Sequence, residues 1–95
     1  MAERLEQKIH NVNHELFAKA KELIPGGVNS PVRSFKAVGG DPLFIKQAKG
    51  PMIYSESGLG FIDYCLSWGA LILGHANNDI VENLHKAIEK GTSFG

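Results

Sequence analysis

The stretch PLFIKQAKGPMIYSESGLGFIDYCLSW, Pro42–Trp68, decides the fold class of this 95-residue chain. Short apolar and aromatic runs alternate in it with turn-forming residues, a pattern typical of strands joined by tight turns. The turns are predicted at residues 49–51 and 55–60, where SESGLG is the best hairpin signal. The predicted strands are Leu43–Gln47, Met52–Tyr54 and Phe61–Tyr64. We therefore expect a small antiparallel sheet of two or three strands, which needs another element packed on one face to be stable.

One helix is predicted on each side of this sheet. Between Asn11 and Ile24, apolar residues recur at spacings of three and four, which places them on one helical face. Pro25 and the two glycines after it end that helix, because the residue before a proline is pushed out of the helical region. The second helix is predicted to begin at one of the residues 77–79, any of which could cap it, and to stop at Gly91. The order helix, sheet, helix predicts an α+β fold.

The segment IPGGVNSPVRSF, Ile24–Phe35, follows the first helix and is named here the proline–glycine loop. Glycines relax backbone restrictions and prolines impose them, so this density of both predicts a loop held in one shape. Arg33 would present a planar fork that matches a carboxylate or phosphate. Asn29 and Ser30 would supply hydrogen-bonding groups beside it. The residue types equally allow a surface arginine paired with a carbonyl or an acid, and turn formers bonded to their own backbone.

Trp68 is the candidate for an apolar wall in a second glycine-punctuated loop, residues 66–76. Its indole is flat and carries one donor, and the following glycine lets a ligand or backbone come close. A lone tryptophan is also a common core residue, so both interpretations stay open. Cys65, between an aromatic and a leucine, is expected to be a small buried apolar residue.

The histidines carry no strong prediction. His10 and His14 lie four apart, but a pair of histidines without a nearby carboxylate or thiol ligand does not indicate a metal site, so none is predicted. His75 could pack, cap the second helix or act as a base, and the sequence does not separate these roles.

Composition excludes several classes of protein. The chain is 43% hydrophobic and 21% charged, with ten basic and ten acidic residues, which argues against disorder and against a basic nucleic-acid binder. The single cysteine excludes an internal disulfide and a multi-cysteine zinc site, and favours a cytoplasmic setting. No signal-peptide core or membrane-length apolar run is found. The length predicts at most one domain.

Four segments together resemble the N-terminal part of the glutamate-1-semialdehyde 2,1-aminomutases, a group of class-III pyridoxal-phosphate aminotransferases. They are IPGGVNSPVRSF, GGDPLFIKQAKG, IDYCLSWGALILGHA and the closing EKGTSFG. The pattern departs from the family at HANND, where Asn77 or Asn78 replaces a frequent proline. The resemblance implies conversion of glutamate 1-semialdehyde to 5-aminolevulinate in tetrapyrrole biosynthesis, with pyridoxal or pyridoxamine 5′-phosphate as cofactor, in a homodimer. The cytoplasmic setting and the absence of nucleic-acid and membrane partners are expected from the composition.

For individual residues, the resemblance implies that Arg33 binds the substrate carboxylate, that Ser30 lines the active site and that Trp68 forms a wall of the active site. It implies that residues 1–95 are a small-domain part of a longer fold-type-I enzyme, that the Schiff-base lysine and the cofactor contacts lie outside them, and that the chain alone is inactive. Two alternatives remain: another class-III aminotransferase, and a small binding module without catalysis.

Overall fold

The computed structural model of the chain describes residues 1–95, with the side chains of residues 1–4, 6–7 and 12–95. Its α-helices and strands, in chain order, are α1 (Ala2–Leu23), β1 (Ile45–Lys49), β2 (Met52–Ser55), β3 (Gly60–Ile62) and α2 (Asn78–Ile88). The strands form one antiparallel sheet in the order β1-β2-β3. The predicted α+β fold is therefore confirmed. The residues group into two compact units, 1–46 with 54–60, and 47–53 with 61–95.

Helix α1 begins at Ala2 and is longer than the apolar periodicity from Asn11 onward predicts. The opening residues AERLEQK include strong helix formers, which favour helix without an apolar stripe to reveal it. The helix ends at Leu23, as the proline after Ile24 predicts. Ile24 is extended, with φ −131° and ψ 133°, and its N–H still donates to the Ala20 carbonyl at 2.8 Å.

In the first unit, polar side chains of α1 hold the segment that leads into β1. The side-chain N–H of Asn13 donates to the Pro42 carbonyl at 2.9 Å, and its Oδ1 accepts the Phe44 N–H at 3.1 Å. At the next residue of the helix, His14 Nδ1 lies 3.1 Å from Asp41 Oδ2. These contacts fix the chain at the end of the loop region against the helix that precedes it.

The SESGLG segment closes as the predicted hairpin turn between β2 and β3. Ser55 is buried, and its Oγ accepts the Leu59 N–H at 3.1 Å while its own N–H donates to the Leu59 carbonyl at 2.9 Å. Ser57 adds a hydroxyl contact to Ser55 at 2.8 Å. Gly58 has a φ of +89°, which only glycine adopts without cost. Each strand lies within two residues of its predicted bounds.

In the second unit, Asn77 is the cap of α2. Its Oδ1 accepts the N–H of Asp79 at 3.1 Å and of Ile80 at 3.3 Å, which settles the choice among the three candidate caps. The apolar face of this helix is exposed and consists of Ile80, Val81, Leu84 and Ile88. Among the described side chains no large apolar residue is buried. None of the described helices has the length and apolar character needed to cross a membrane.

Candidate functional site

The proline–glycine loop consists mainly of short 3₁₀ turns. Two of them, Pro25–Gly27 and Pro31–Arg33, begin at a proline, and a third, Phe35–Ala37, follows directly. Proline pre-sets the φ angle of a first helical position, so each turn starts where the sequence places that residue. The loop has a defined local shape, as predicted.

Arg33 is exposed at the end of the second of these turns. Its Nη1 donates to Asn29 Oδ1 at 2.8 Å, and its backbone N–H donates to the Ser30 carbonyl at 3.0 Å. Within the described part of the chain, Asn29 is the hydrogen-bond partner of the guanidinium. Because Arg33 is exposed, an anion in solvent can reach its guanidinium.

Beside Arg33 the loop encloses an open hollow of about 600 Å³. Asn29, Ser30 and Lys36 contribute polar groups to its lining, and Ser30 makes no side-chain capping bond in the turn that follows it. Lys36 was not singled out by the sequence analysis. The sequence offered no signal for it, because Arg33 and Lys36 lie in two separate turns with the extended Ser34 between them. Lys36 lines the hollow and Arg33 does not, so the hollow offers a small carboxylate one positive charge beside hydrogen-bonding groups.

Trp68 belongs to the second unit and lies in a left-handed turn. Three consecutive residues other than glycine have positive φ: Leu66 at 45°, Ser67 at 51° and Trp68 at 62°, and Gly69 follows at 93°. Each such residue costs roughly 1–2 kcal/mol relative to the right-handed form. Trp68 is 89% exposed as a whole residue, so it is not a core residue. A strained, exposed aromatic in a loop is a feature that folding alone does not require.

Asp63 anchors the start of this turn. Its Oδ1 accepts the N–H of Cys65 at 2.9 Å and of Leu66 at 3.2 Å, and its Oδ2 lies 2.6 Å from His75 Nε2. The hydrogen bond with His75, followed by those from the Leu66 and Cys65 amides, lowers the pKa of the Asp63 carboxyl below its usual 3.8. Sequence analysis missed Asp63, although an aspartate two and three residues before free amides is a known turn pattern.

The expectation that Cys65 is buried is wrong, since its side chain is exposed. A strand over residues 61–64, as predicted, would have placed Cys65 directly after the sheet. Instead β3 ends at Ile62, and Cys65 lies in the turn that Asp63 organises.

His75 pairs with Asp63, and the capping role weighed for it belongs to Asn77 instead. The backbone of His75 pairs with Gly50 in an antiparallel bridge, with N–H to carbonyl distances of 2.9 and 2.8 Å. Next to it, a side chain at Gly74 would approach the Gly50 carbonyl oxygen to 3.0 Å, so glycine permits the close approach. Lys49 Nζ donates to the Ala76 carbonyl at 2.6 Å. The loop end that carries His75 is thus held at several points.

The structure brings Arg33, Asn29 and Ser30 together in the first unit, while Trp68 lies in the second unit with Asp63. No group of three or more His, Cys, Asp or Glu side chains suited to a metal lies among the described residues. The side chain of His10, weighed above for such a site, is outside the described ones.

No family model matches the chain. A curated protein from Thermodesulfovibrio yellowstonii named glutamate-1-semialdehyde 2,1-aminomutase is 64% identical over 81 residues, which are 85% of this chain. By sequence, the chain is a homologue of the glutamate-1-semialdehyde 2,1-aminomutases. The chain spans about a fifth of the length of these aminomutase relatives, 19% in this case.

Solved aminotransferases share the fold. A crystal structure of a glutamate-1-semialdehyde aminomutase from Pseudomonas aeruginosa PAO1 superposes with a TM-score of 0.79 over 96% of this chain and 20% of its own, at 18% identity. A transaminase with PLP bound superposes with a TM-score of 0.77 over 92% of this chain and 20% of its own, at 32% identity.

Two lysines and one aspartate among the described residues, side chains of the kinds that hold PLP, already have partners within the chain. A PLP site needs a lysine for the Schiff base, an acid at the pyridine nitrogen and a cradle for the phosphate. Lys49 Nζ donates hydrogen bonds to the Ala76 carbonyl and to Asn78 Oδ1, and Lys86 forms a salt bridge with Glu82 at 2.7 Å. The half-buried acid of the second unit, Asp63, is occupied by His75 and two amides. The groups left for a ligand are the Arg33 guanidinium and the hollow lined by Ser30 in the first unit, and the Trp68 ring in the second.

Proposed function

We propose that these residues form a substrate-binding part of a glutamate-1-semialdehyde 2,1-aminomutase, which converts glutamate 1-semialdehyde to 5-aminolevulinate by moving an amino group within one molecule. The observation that carries the proposal is the Arg33 guanidinium, held by Asn29 at 2.8 Å and open toward solvent. The substrate has one carboxylate, and a bidentate pair with a fixed arginine would orient it as well as bind it.

The other two residues have supporting roles in this proposal. Ser30 lines the hollow beside Arg33 and would donate to or accept from a substrate oxygen. Trp68 would cover the apolar part of the small substrate with its exposed ring. A pyridoxal or pyridoxamine phosphate cofactor would supply the amino-transfer chemistry, held by residues other than these 95. The chain alone is then expected to have no aminomutase activity.

The test uses a chimaeric enzyme: the Thermodesulfovibrio yellowstonii relative with residues 1–95 of this chain in place of the segment that they match. We expect it to form 5-aminolevulinate, and Arg33→Ala to raise KM by about 10- to 150-fold, which corresponds to the roughly 1.5–3 kcal/mol of a charge-assisted hydrogen bond. Arg33→Lys should fall between, because it keeps the charge and loses the fork. Arg4→Ala, at the other arginine of the chain, is the matched control.

Each result bears on a different part of the proposal. An unchanged KM in Arg33→Ala would remove Arg33 from the substrate site. An inactive chimaeric enzyme beside an active relative would count against the aminomutase function of these residues. Product formation that requires an added keto acid would favour the alternative of another class-III aminotransferase, because only intermolecular transfer needs an external amino acceptor.

We also propose a homodimer in the cytoplasm. The exposed apolar face of α2 supports a covering partner, and the single cysteine supports a reducing compartment. Sedimentation of the chimaeric enzyme as a monomer would contradict the first part. Recovery of the protein from a compartment other than the cytoplasm of its source cells would contradict the second.

A further inference from the structure

We propose that Asp63 is a positioning residue for Trp68: with His75 it clamps the left-handed turn Leu66–Gly69 and so fixes where the indole is presented. The clamp itself is an inference about local structure. Its consequence for substrate binding rests on the function proposed above, in which Trp68 walls the substrate.

The first argument is that the two carboxylate oxygens of Asp63 accept hydrogen bonds from different parts of the chain. Oδ1 accepts the N–H groups of Cys65 and Leu66, where the turn begins. Oδ2 lies 2.6 Å from His75 Nε2. One side chain therefore joins the beginning of the loop to residue 75, beyond its strained centre. The side chains of Asp63 and His75 are 14% and 18% exposed, so water competes little for these bonds.

The second argument is that His75 is itself immobilised. Its N–H and carbonyl both pair with Gly50, and the neighbouring Ala76 carbonyl accepts from Lys49 Nζ at 2.6 Å. Asp63 also follows directly after β3, and its own N–H donates to the Pro51 carbonyl at 2.8 Å. The clamp therefore links two parts of the chain that are each fixed to the backbone near β1 and β2.

The third argument is the backbone between these ends. Residues with positive φ other than glycine persist only where the surrounding structure over-determines them. Within the turn, the Trp68 N–H bonds to the Cys65 carbonyl at 2.9 Å and the Leu71 N–H to the Leu66 carbonyl at 3.2 Å. These bonds are local and would not alone select the left-handed form, whereas the two amides held by Asp63 set its first residues.

The clamp is tested on the chimaeric enzyme, in which any tryptophan outside residues 1–95 is replaced by phenylalanine so that Trp68, the one tryptophan of this chain, is the reporter. Asp63→Ala should speed amide hydrogen exchange at residues 65–71 and lower the time-resolved fluorescence anisotropy of Trp68, with the α2 amides unchanged. Asp63→Asn keeps an acceptor for the two amides and should lie between. Asp41→Ala breaks the other Asp–His pair, at His14 in the first unit, and is the matched control.

The consequence for binding is tested in the chimaeric enzyme. If Asp63 acts through Trp68, Asp63→Ala should raise KM on the order of tenfold to a hundredfold with a smaller change in kcat, as expected for a misplaced binding group. Added to Trp68→Ala, it should then cost nothing further, since the group it positions is already gone.

The outcomes separate the two proposals. Exchange and anisotropy in Asp63→Ala that match Asp41→Ala would overturn the clamp, and so would equal loosening of the α2 amides, which would indicate general unfolding. Additive losses in Asp63→Ala/Trp68→Ala would show that Asp63 does not act through Trp68. An inactive chimaeric enzyme together with a loosened turn in Asp63→Ala would overturn the proposed function and leave the clamp supported.

Discussion

At the scale of single residues, the two glycines after α1 have the same backbone angle and different surroundings. Gly26 and Gly27 both have a φ of +72°. A side chain at Gly26 would meet open space, whereas at Gly27 its Cβ would lie 2.7 Å from Phe17 Cε2 and 2.9 Å from Lys21 Cγ. Gly27 is therefore needed for two reasons, the backbone angle and the close packing of the loop on the helix.

This pair of glycines gives a prediction with an internal control. Gly26→Ala should lower the free energy of unfolding of the chimaeric enzyme by about 1–2 kcal/mol, the cost of a left-handed alanine. Gly27→Ala should cost a further 1–3 kcal/mol, roughly, because the ring of Phe17 must move. Urea denaturation measures both values. Equal losses would mean that the contact with Phe17 contributes nothing to the loop.

The Asp63 carboxyl gives a pH dependence whose sign follows from its lowered pKa. A carboxyl with a lower pKa in the folded state than in the unfolded one stabilises the fold above its unfolded value, near 3.8. This stabilisation is lost as the pH falls through the lower, folded value. Within the described part of the chain, the titratable group in contact with this carboxyl is His75.

We therefore expect the exchange protection of the Cys65 and Leu66 amides, corrected for intrinsic rates, to hold at neutral pH and to fall below about pH 3.8. In Asp63→Asn the same amides should show no such step, because an amide side chain does not titrate. Protection of these amides in the unaltered chain that stays unchanged on acidification below pH 3.8 would mean that the Asp63 carboxylate does not control the turn.

At the scale of elements, the sequence predicted what depends on neighbouring residues. Pro25 located the end of α1, the turn chemistry of SESGLG located the β2–β3 hairpin, and the asparagine–aspartate run located the start of α2. The start of α1 was misplaced because its first residues form helix through their intrinsic helix propensity and show no apolar periodicity.

The candidate site was only partly readable in the same way. The proline–glycine loop was predicted as a rigid mount, and its arginine is where that prediction places it. The pairing of Asp63 with His75 spans twelve residues of sequence, and the link from Asn13 to Pro42 spans 29. Local patterns carry no information about such distant partners, and a positive φ at leucine, serine and tryptophan contradicts local preference.

At the scale of the whole molecule, exposure of apolar side chains is the dominant feature. Of the large apolar residues on α2, Leu84 and Ile88 are 55% and 58% exposed, and burial of such side chains is the main source of folding free energy. Described residues of both units show the same lack of a buried apolar core. Stability of these elements therefore depends on surfaces that cover them.

A substitution on this face should behave differently in the two contexts. In the 95-residue chain, Leu84→Gln should change the free energy of unfolding by less than about 0.5 kcal/mol, as at an exposed position. In the chimaeric enzyme it should cost about 2–5 kcal/mol, because a polar amide would replace a leucine that the rest of the enzyme covers. Asn83→Gln, at the next residue back, is the control and should be neutral in both. Urea denaturation of the enzyme, and thermal melting of the short chain followed by circular dichroism, supply the measurements.

A sharp, cooperative melt of the short chain together with an equally small effect of Leu84→Gln in the enzyme would contradict the proposed covering. It would favour the alternative of a self-sufficient binding module, because such a module must stabilise α2 without help from other residues.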